Sequence, residues 1–467
     1  MSEVGRKEIF TIALGSVIGW GAFMLPGNVF LPNYGIINTF LGFVIAIIML
    51  VFIEKCYTSV MERIPKSGGE YSFASELLGK KSGFITGWGL LLAYVSIIPL
   101  NATAVPMVLD AVFPFYSKGT LLYTITDYPV YLNDILISLS IIGLFTYLNI
   151  RGIKGALKAQ NILVFSLLGS LILILILTFF NVGAAEVNNF NSNFGEVKPS
   201  SIIRVIAFAP WAFIGFDAVA QLAGDHKISS KAVSRMTMLA IIFGALIYNF
   251  LNVITALGIN GSQISEYSWA TGYSVRGLVG NGVFYFLAIA MFGAVVSGLN
   301  GFFISSSRLV TSMSSDYSIG GTSTHISGST SSETVYIPKW VMYFICIFAM
   351  LVPFFGRTAL LWFVDLSSVG ASVAYFMTCL CAYKIAKTLG NLVISSIGMC
   401  VSLTFLIFLL TPIFDSNISM PSYLSLAFWI VLGLIVYFYI RNRVPNKNIN
   451  VRTSACHQLS QTTQETR

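Results

Sequence analysis

Long apolar runs alternate with short polar or basic connections along the whole chain, and that rhythm predicts its elements. A helix needs ~20 largely apolar residues to cross the hydrocarbon core of a bilayer. Twelve runs reach that length, near residues 9–32, 36–58, 83–113, 131–150, 158–181, 201–224, 236–260, 281–307, 339–356, 359–383, 389–413 and 420–440. The first stretch, Ile9 to Ile53, carries no charge over 45 positions. Pro32-Asn33-Tyr34-Gly35 is a turn signal that splits it into two crossings. Arg6 and Lys7 before an apolar run imitate a secretory signal, but the run is too long and no small-residue cleavage site follows, so a retained first helix is expected. The predicted fold is an all-α integral membrane protein, with twelve transmembrane helices in residues 1–442. Thr311 to Tyr336 holds 17 Ser, Thr or Gly in 26 residues and reads as a flexible cytoplasmic linker. Residues 443–467 are polar and read as a disordered cytoplasmic tail.

Composition agrees. Of 467 residues, 56% are apolar and only 10% charged, against about 25% charged in soluble proteins. The net charge of +8 forms no patch apart from the spans, so no nucleic-acid partner is expected. With the N-terminus inside, 22 of the 27 basic residues fall in inward-facing connections, which obeys the positive-inside rule and puts both termini in the cytoplasm. The six cysteines and three histidines show no metal-ligand spacing, and no cofactor is expected.

Two spans carry unusual interruptions. In the first, Gly15-Ser16-Val17-Ile18-Gly19-Trp20-Gly21-Ala22-Phe23 places three glycines within seven residues, each costing ~1 kcal/mol of helix relative to alanine. Gly15 and Gly19 also form a small-residue packing pair. In the sixth, Pro210-Trp211-Ala212-Phe213-Ile214-Gly215-Phe216-Asp217 combines a proline, a glycine and a carboxylate within an apolar run. Non-helical backbone at membrane depth survives where it lines a polar cavity or is satisfied by protein. Breaks five spans apart predict two five-helix repeats of opposite topology, about 8–181 and 201–386, with helices eleven and twelve at 389–440 and a binding site where the breaks meet. Half-helix N-termini favour a carboxylate and free carbonyls favour an ammonium, so one broken pair suits an α-amino acid.

At these residues the chain resembles the amino acid–polyamine–organocation (APC) superfamily of amino acid permeases. Four stretches carry the resemblance: the glycine pattern at 15–23, Pro65-Lys66-Ser67-Gly68-Gly69-Glu70-Tyr71-Ser72-Phe73 leading to Thr86-Gly87-Trp88, Phe213-Ile214-Gly215-Phe216-Asp217, and Ser306-Ser307-Arg308-Leu309. It implies alternating access, with the amides of Gly19, Trp20 and Gly21 facing a substrate carboxylate and the carbonyls of Val17, Phe213 and Ile214 facing its ammonium. Trp211 is similar to the aromatic that closes over substrate in the arginine/agmatine antiporters, and Phe302 falls at their lower gate. Tyr94, Ile98 and Asn101 recur on one helical stripe, as a pocket wall or as interhelical packing. The carbonyls of Gly15 and Ile18 with Ser297 are the candidate cation site, as in sodium-coupled relatives.

The chain departs from the family at several points: Trp20 stands where many members have Ser or Thr, Tyr317 replaces a glycine, and Ser166-Leu167 stand where some proton-coupled members have a lysine. Asp217 is the mid-span carboxylate, expected to serve coupling or gating. Glu54, Asp110 and Asp365 are expected near interfaces in solvated or structural roles, and Arg308 is expected to snorkel at the cytoplasmic face. One mid-span carboxylate and no membrane-embedded histidine speak against an enzyme, and polar features gathered at one depth speak against a channel. The expectation is a secondary active transporter of the cell membrane, proton-coupled or exchanging, with neutral amino acids favoured. A cationic amino acid or polyamine exchanger, a sodium symporter and a non-transporting sensor remain as alternatives. The partners expected are the amino acid or amine, the lipid bilayer and a coupling proton or sodium ion.

Overall fold

The computed structural model describes residues 4–113, 115–125, 128–224, 229–267, 269–316, 337–411 and 418–443. The expected tail, most of the expected linker, Tyr317 and the three histidines lie outside the described residues. Among the described residues, nine helices are long and apolar enough to cross a membrane. The molecule is an α-helical, multi-pass membrane protein.

The helices of the first half are α1 (Arg6–Val17), α2 (Trp20–Leu25), α3 (Leu31–Arg63), α4 (Gly69–Leu77), α5 (Lys80–Ala102), α6 (Val105–Val112), α7 (Leu132–Ile150), α8 (Ile153–Asn181) and α9 (Ala184–Ser192). There follow α10 (Pro199–Ala207), α11 (Ala209–Ala212), α12 (Ser230–Gly258), α13 (Ala270–Val279), α14 (Asn281–Asp316), α15 (Lys339–Leu351), α16 (Gly356–Ile385), α17 (Leu389–Leu410) and α18 (Met420–Arg443). A π-helical turn, Pro26–Phe30, joins α2 to α3. The turn expected at Pro32–Gly35 is a single departure from helix at Gly35, with φ 71° and ψ 178°. The amides it frees, of Ile36 and Ile37, donate to the Asn193 and Phe194 carbonyls at 2.9 and 3.1 Å.

Two features depart from expectation. A small antiparallel hairpin, β1 (Leu121–Ile125) and β2 (Tyr128–Tyr131), precedes α7 in a connection for which no strand was expected. The flexible linker expected from Thr311 does not begin there, because α14 runs on to Asp316. The hydroxyls of Thr311 and Ser314 turn back to the Ser307 and Thr311 carbonyls at 2.7 and 2.9 Å, so this Ser/Thr-rich end is compatible with helix. Tyr71 of α4 anchors the last turn through Asp316, at 2.8 Å.

Glycines and amides set how the spans approach. A buried chain of Asn149 (α7), Asn300 (α14) and Gln160 (α8) ends on the Thr11 carbonyl of α1, with bonds of 3.1, 2.9 and 3.1 Å. Interhelical bonds in membranes average only ~0.6 kcal/mol, so this chain specifies register more than it adds stability. Trp88 of α5 and Trp429 of α18 stack at 4.6 Å and exchange indole-to-carbonyl bonds of 3.0 and 3.2 Å.

Helices α5 and α16 meet at Gly89 and Gly370. A Cβ at Gly370 would strike the Gly89 carbonyl oxygen and lie 3.1 Å from the Ala93 Cβ. Backbone cannot yield there, and overpacking costs ~1–3 kcal/mol. Gly370→Val is therefore expected to lower the thermal midpoint in detergent, followed by circular dichroism; an unchanged midpoint would mean that this contact does not set the spacing.

Candidate functional site

The two interruptions are real breaks, and they meet. Helix α1 ends at Val17 and α2 starts at Trp20, leaving Ile18 (φ −93°, ψ 108°) and Gly19 (φ −120°, ψ −164°) extended. The unwound stretch is thus two residues, narrower than the run of glycines suggests, and Gly15 stays helical. In the sixth span α11 ends at Ala212, residues 213–216 are not helical, and Asp217–Leu222 form a 3-10 helix. Gly215 has φ 109°, which side chains disfavour. A Cβ there would lie 2.7 Å from the Ser16 carbonyl carbon and 3.0 Å from its oxygen. Backbone is packed on backbone where the breaks cross.

Beside this contact is a cavity of about 20 Å³. Ser16, Val17, Gly19 and Trp20 line it from the first break, and Trp211 and Ile214 from the second. Ile97, Leu100 and Asn101 of α5, Tyr248 of α12 and Phe302 of α14 complete the wall. That is room for about one water molecule. The Trp20 and Trp211 rings meet edge-on at 6.0 Å, and the Trp211 indole lies on Gly21, whose added Cβ would sit 2.8 Å from Cζ3. An amino acid fits here only if the indoles move. The Ser16 hydroxyl and the Asn101 Oδ1 are buried without hydrogen-bond partners, two polar groups free for a ligand. A larger opening of about 900 Å³, edged by Lys55, Arg63, Glu62, Glu76 and Lys387, lies away from the breaks.

Six of the ten expected substrate-binding residues line the cavity: Val17, Gly19, Trp20, Trp211, Ile214 and Phe302. Gly21 lies beneath the Trp211 ring. Tyr94 packs on Phe302 at 5.4 Å but turns its hydroxyl to Asp217. Ile98 is buried, while Ile97 and Leu100 face the cavity in its place. Phe213 packs its ring against Phe43 and Tyr248 at 5.9 and 6.3 Å, and its carbonyl already accepts the Phe216 amide at 3.3 Å. Of the candidate cation site, Ser297 donates to the Gly15 carbonyl at 3.3 Å, and Ile18 donates its amide to the Leu14 carbonyl at 2.9 Å. Among the described residues no group of three His, Cys, Asp or Glu could hold a metal ion. Tyr248 and Ser16 escaped the sequence reading; Ser16 stood inside the quoted glycine pattern, whereas Tyr248, on α12, had no local signal.

Asp217 is buried, accepting from the Gly215 amide at 2.7 Å and the Tyr94 hydroxyl at 2.6 Å. Glu70, which sequence reasoning left in a cytoplasmic connection, is also fully buried. It accepts from the Tyr57 hydroxyl at 2.8 Å and the Gln221 amide at 2.6 Å. The signal was Gly68-Gly69 just before it: both have positive φ, 94° and 47°, which folds α4 back against the 3-10 segment. Glu54, which is buried, accepts from Thr58 at 2.7 Å, Asp365 of α16 accepts from Ser422 of α18 at 2.6 Å, and Asp110 pairs with Lys118 at 2.9 Å. Arg308 does not snorkel: it is 3% exposed because α14 continues past it, and its Nη1 donates to the Ile304 carbonyl at 3.3 Å.

A family model described as amino acid permease matches residues 4–455. The chain belongs to the amino acid permease family. It is similar to the branched-chain amino acid permease of Bacillus subtilis, 28% identical over 281 residues that cover 56% of this chain and 54% of that protein. It is similar also to the human Asc-type amino acid transporter 1, 24% identical over 341 residues, 66% of this chain and 58% of the relative. The human large neutral amino acids transporter small subunit 2 is 25% identical over 321 residues, 66% of this chain and 56% of the relative. The chain spans about half the length of these curated relatives. The family is one of permeases, not enzymes, and the four-motif resemblance to the APC superfamily holds.

For this permease the crossing of the breaks sets a test. Gly215→Ala imposes both a disfavoured φ and a collision with the Ser16 backbone. The variant is expected to insert in the membrane but to bind ligand at least ~10-fold more weakly, the equivalent of ~1.4 kcal/mol, measured by scintillation proximity. Wild-type affinity would place the site elsewhere.

Proposed function

We propose that this permease is a secondary transporter of neutral amino acids, working by alternating access across the cytoplasmic membrane with both termini inside. The observation that carries this is the backbone contact between Ser16 and Gly215 beside a closed, Trp-capped cavity. The amides of Gly19, Trp20 and Gly21 open α2 and would take the substrate carboxylate, as helix N-termini take anions. The carbonyls of Val17 and Ile214 would take the ammonium. Phe213 contributes its carbonyl only if Phe216 releases it. Trp211 serves as the lid, and Phe302 as the floor shared with Tyr94.

The substrate side chain would meet Trp20, Ile97, Leu100 and Phe302, an apolar wall that favours a neutral residue. Asp217 is turned to Tyr94 and Gly215, so a cationic substrate would lack a free counter-charge there. Relatives named for branched-chain and large neutral amino acids support the same choice. In this proposal twelve helices form two inverted five-helix repeats plus a final pair, and the two breaks occupy matching positions. Transport is driven by protons or by exchange, with Asp217 at the moving joint. Sodium is the second reading, because Ser297 and the Gly15 carbonyl stand together.

A competition panel against labelled leucine uptake in proteoliposomes tests the substrate class. Valine, isoleucine, alanine and serine are expected to compete, and arginine, lysine and agmatine are not. The reverse pattern would make it a cationic exchanger, and binding without accumulation would make it a sensor. Uptake is expected to be unchanged when choline replaces sodium; a collapse would establish the Ser297 cation site.

A further inference from the structure

We propose that Glu70 and Asp217 form one proton-binding site, two carboxyl groups holding a single proton between them, which fastens α4 to the interrupted sixth span and lets go when the proton leaves. What its release does rests on the alternating-access reading above.

The two side chains are 0% and 1% exposed, and Gln221, on the same 3-10 segment that Asp217 begins, donates its amide to Glu70 at 2.6 Å, which holds the two carboxyl groups in one buried site. Ionised carboxylates have only acceptors. A bond between two of them therefore needs one proton, and the pair titrates as a unit. The other donors suit a pair with one negative charge. Glu70 receives Tyr57 and the Gln221 amide; Asp217 receives Tyr94 and the Gly215 amide. All four donors are neutral. Burial, and then the Asp217 carboxylate beside it, push the Glu70 carboxyl well above the usual carboxylate range.

A further hydroxyl waits at the site. Tyr375 of α16 is completely buried, its ring 6.2 Å from Tyr57 and 5.3 Å from Phe216, and its hydroxyl has no hydrogen-bond partner. Its ring packs between Tyr57, which donates to Glu70, and Phe216, the residue before Asp217. Such a donor has work to do only when the pair takes on a second negative charge. The groups facing the pair are thus Tyr57 from α3, Tyr94 from α5, Tyr375 from α16 and Gln221 from the 3-10 segment itself.

The site also joins parts that must separate if the sixth span moves. The Gly68 amide donates to the Gln221 carbonyl at 3.4 Å, and a Cβ on Gly69 would come within 3.2 Å of the Ala220 carbonyl carbon. With the proton present, a carboxylic acid donates to a carboxylate and the parts hold together. When it leaves to water, the charge goes from one negative to two, no other bond changes, and like charges in a dry site repel.

Infrared difference spectroscopy of the purified full chain reads the proton without any substrate. The wild type at neutral pH is expected to show the carbonyl stretch of a protonated, buried carboxylic acid, and Glu70→Gln to lose that band, since glutamine donates to an ionised Asp217. A wild type without the band, or a Glu70→Gln variant that keeps it whole, overturns the proposal. If Glu70→Gln does not fold, Asp217→Asn carries the same test: the proton then stays on Glu70 against an amide oxygen, the band must shift, and an unshifted band overturns the proposal. Leucine uptake in proteoliposomes should depend on pH in the wild type and lose that dependence in Glu70→Gln. A Glu70→Gln pH profile equal to wild type overturns the role in release. The loss of the band together with no amino acid uptake by the wild type would leave the proton site standing and sink the transport reading instead.

Discussion

A peptide group that leaves a helix at membrane depth finds no water, so its partners must come from the protein. Ile18-Gly19 and residues 213–216 are such stretches, and their surroundings answer that need. The positive φ of Gly215 brings one break onto the backbone of the other at Ser16, and Gly301 of α14 leaves room for the Ser16 hydroxyl. Freed groups are partly taken up nearby: the Phe216 amide by the Phe213 carbonyl, the Ala22 amide by Gly19, the Gly215 amide by Asp217. The segments least able to be helical are therefore among the most enclosed, which is the condition for a small ligand to find backbone groups arranged before it arrives.

The same crossing explains why the cavity is closed. Two indoles, Trp20 and Trp211, come from opposite sides of the breaks and fill the space between them. Because Gly21 has no side chain, the outer edge of the Trp211 ring can close on the start of α2. Trp20, standing where many relatives have a small hydroxyl residue, reduces the chamber to about 20 Å³.

Charge is handled with neutral partners. At the position where some proton-coupled relatives carry a lysine, Leu167 packs near Gly293 of α14, and the amides of Gln160, Asn300 and Asn149 make the polar connection between helices. Asp217 and Glu70 are likewise met by hydroxyls, an amide side chain and a backbone N–H. Neutral donors stabilise a buried carboxylate without the strong pull of a cation, and so leave its proton affinity adjustable.

The sequence by itself determined the membrane class, most of the spans, the places of both breaks and the identity of Asp217. Those are properties of composition and local spacing: apolar runs of bilayer length, glycine or proline where a helix weakens, a carboxylate inside an apolar stretch. It also carried the family, since four short motifs in order survive where overall identity to the relatives is 24–28%. Which side chains share the cavity was decided only by tertiary packing. Tyr94 and Asn101 lie on one stripe of α5 yet serve different places, Ile97 rather than Ile98 lines the cavity, and Tyr248 arrives from α12, far along the chain. Glu70 is the clearest case. Its sequence surroundings are those of a solvated connection, and only the left-handed turn at Gly68-Gly69, folded against Gln221, carries it into the interior beside Asp217. Local pattern records how a residue sits on its own helix; how deep a connection folds back depends on the space left by helices that come later in the chain.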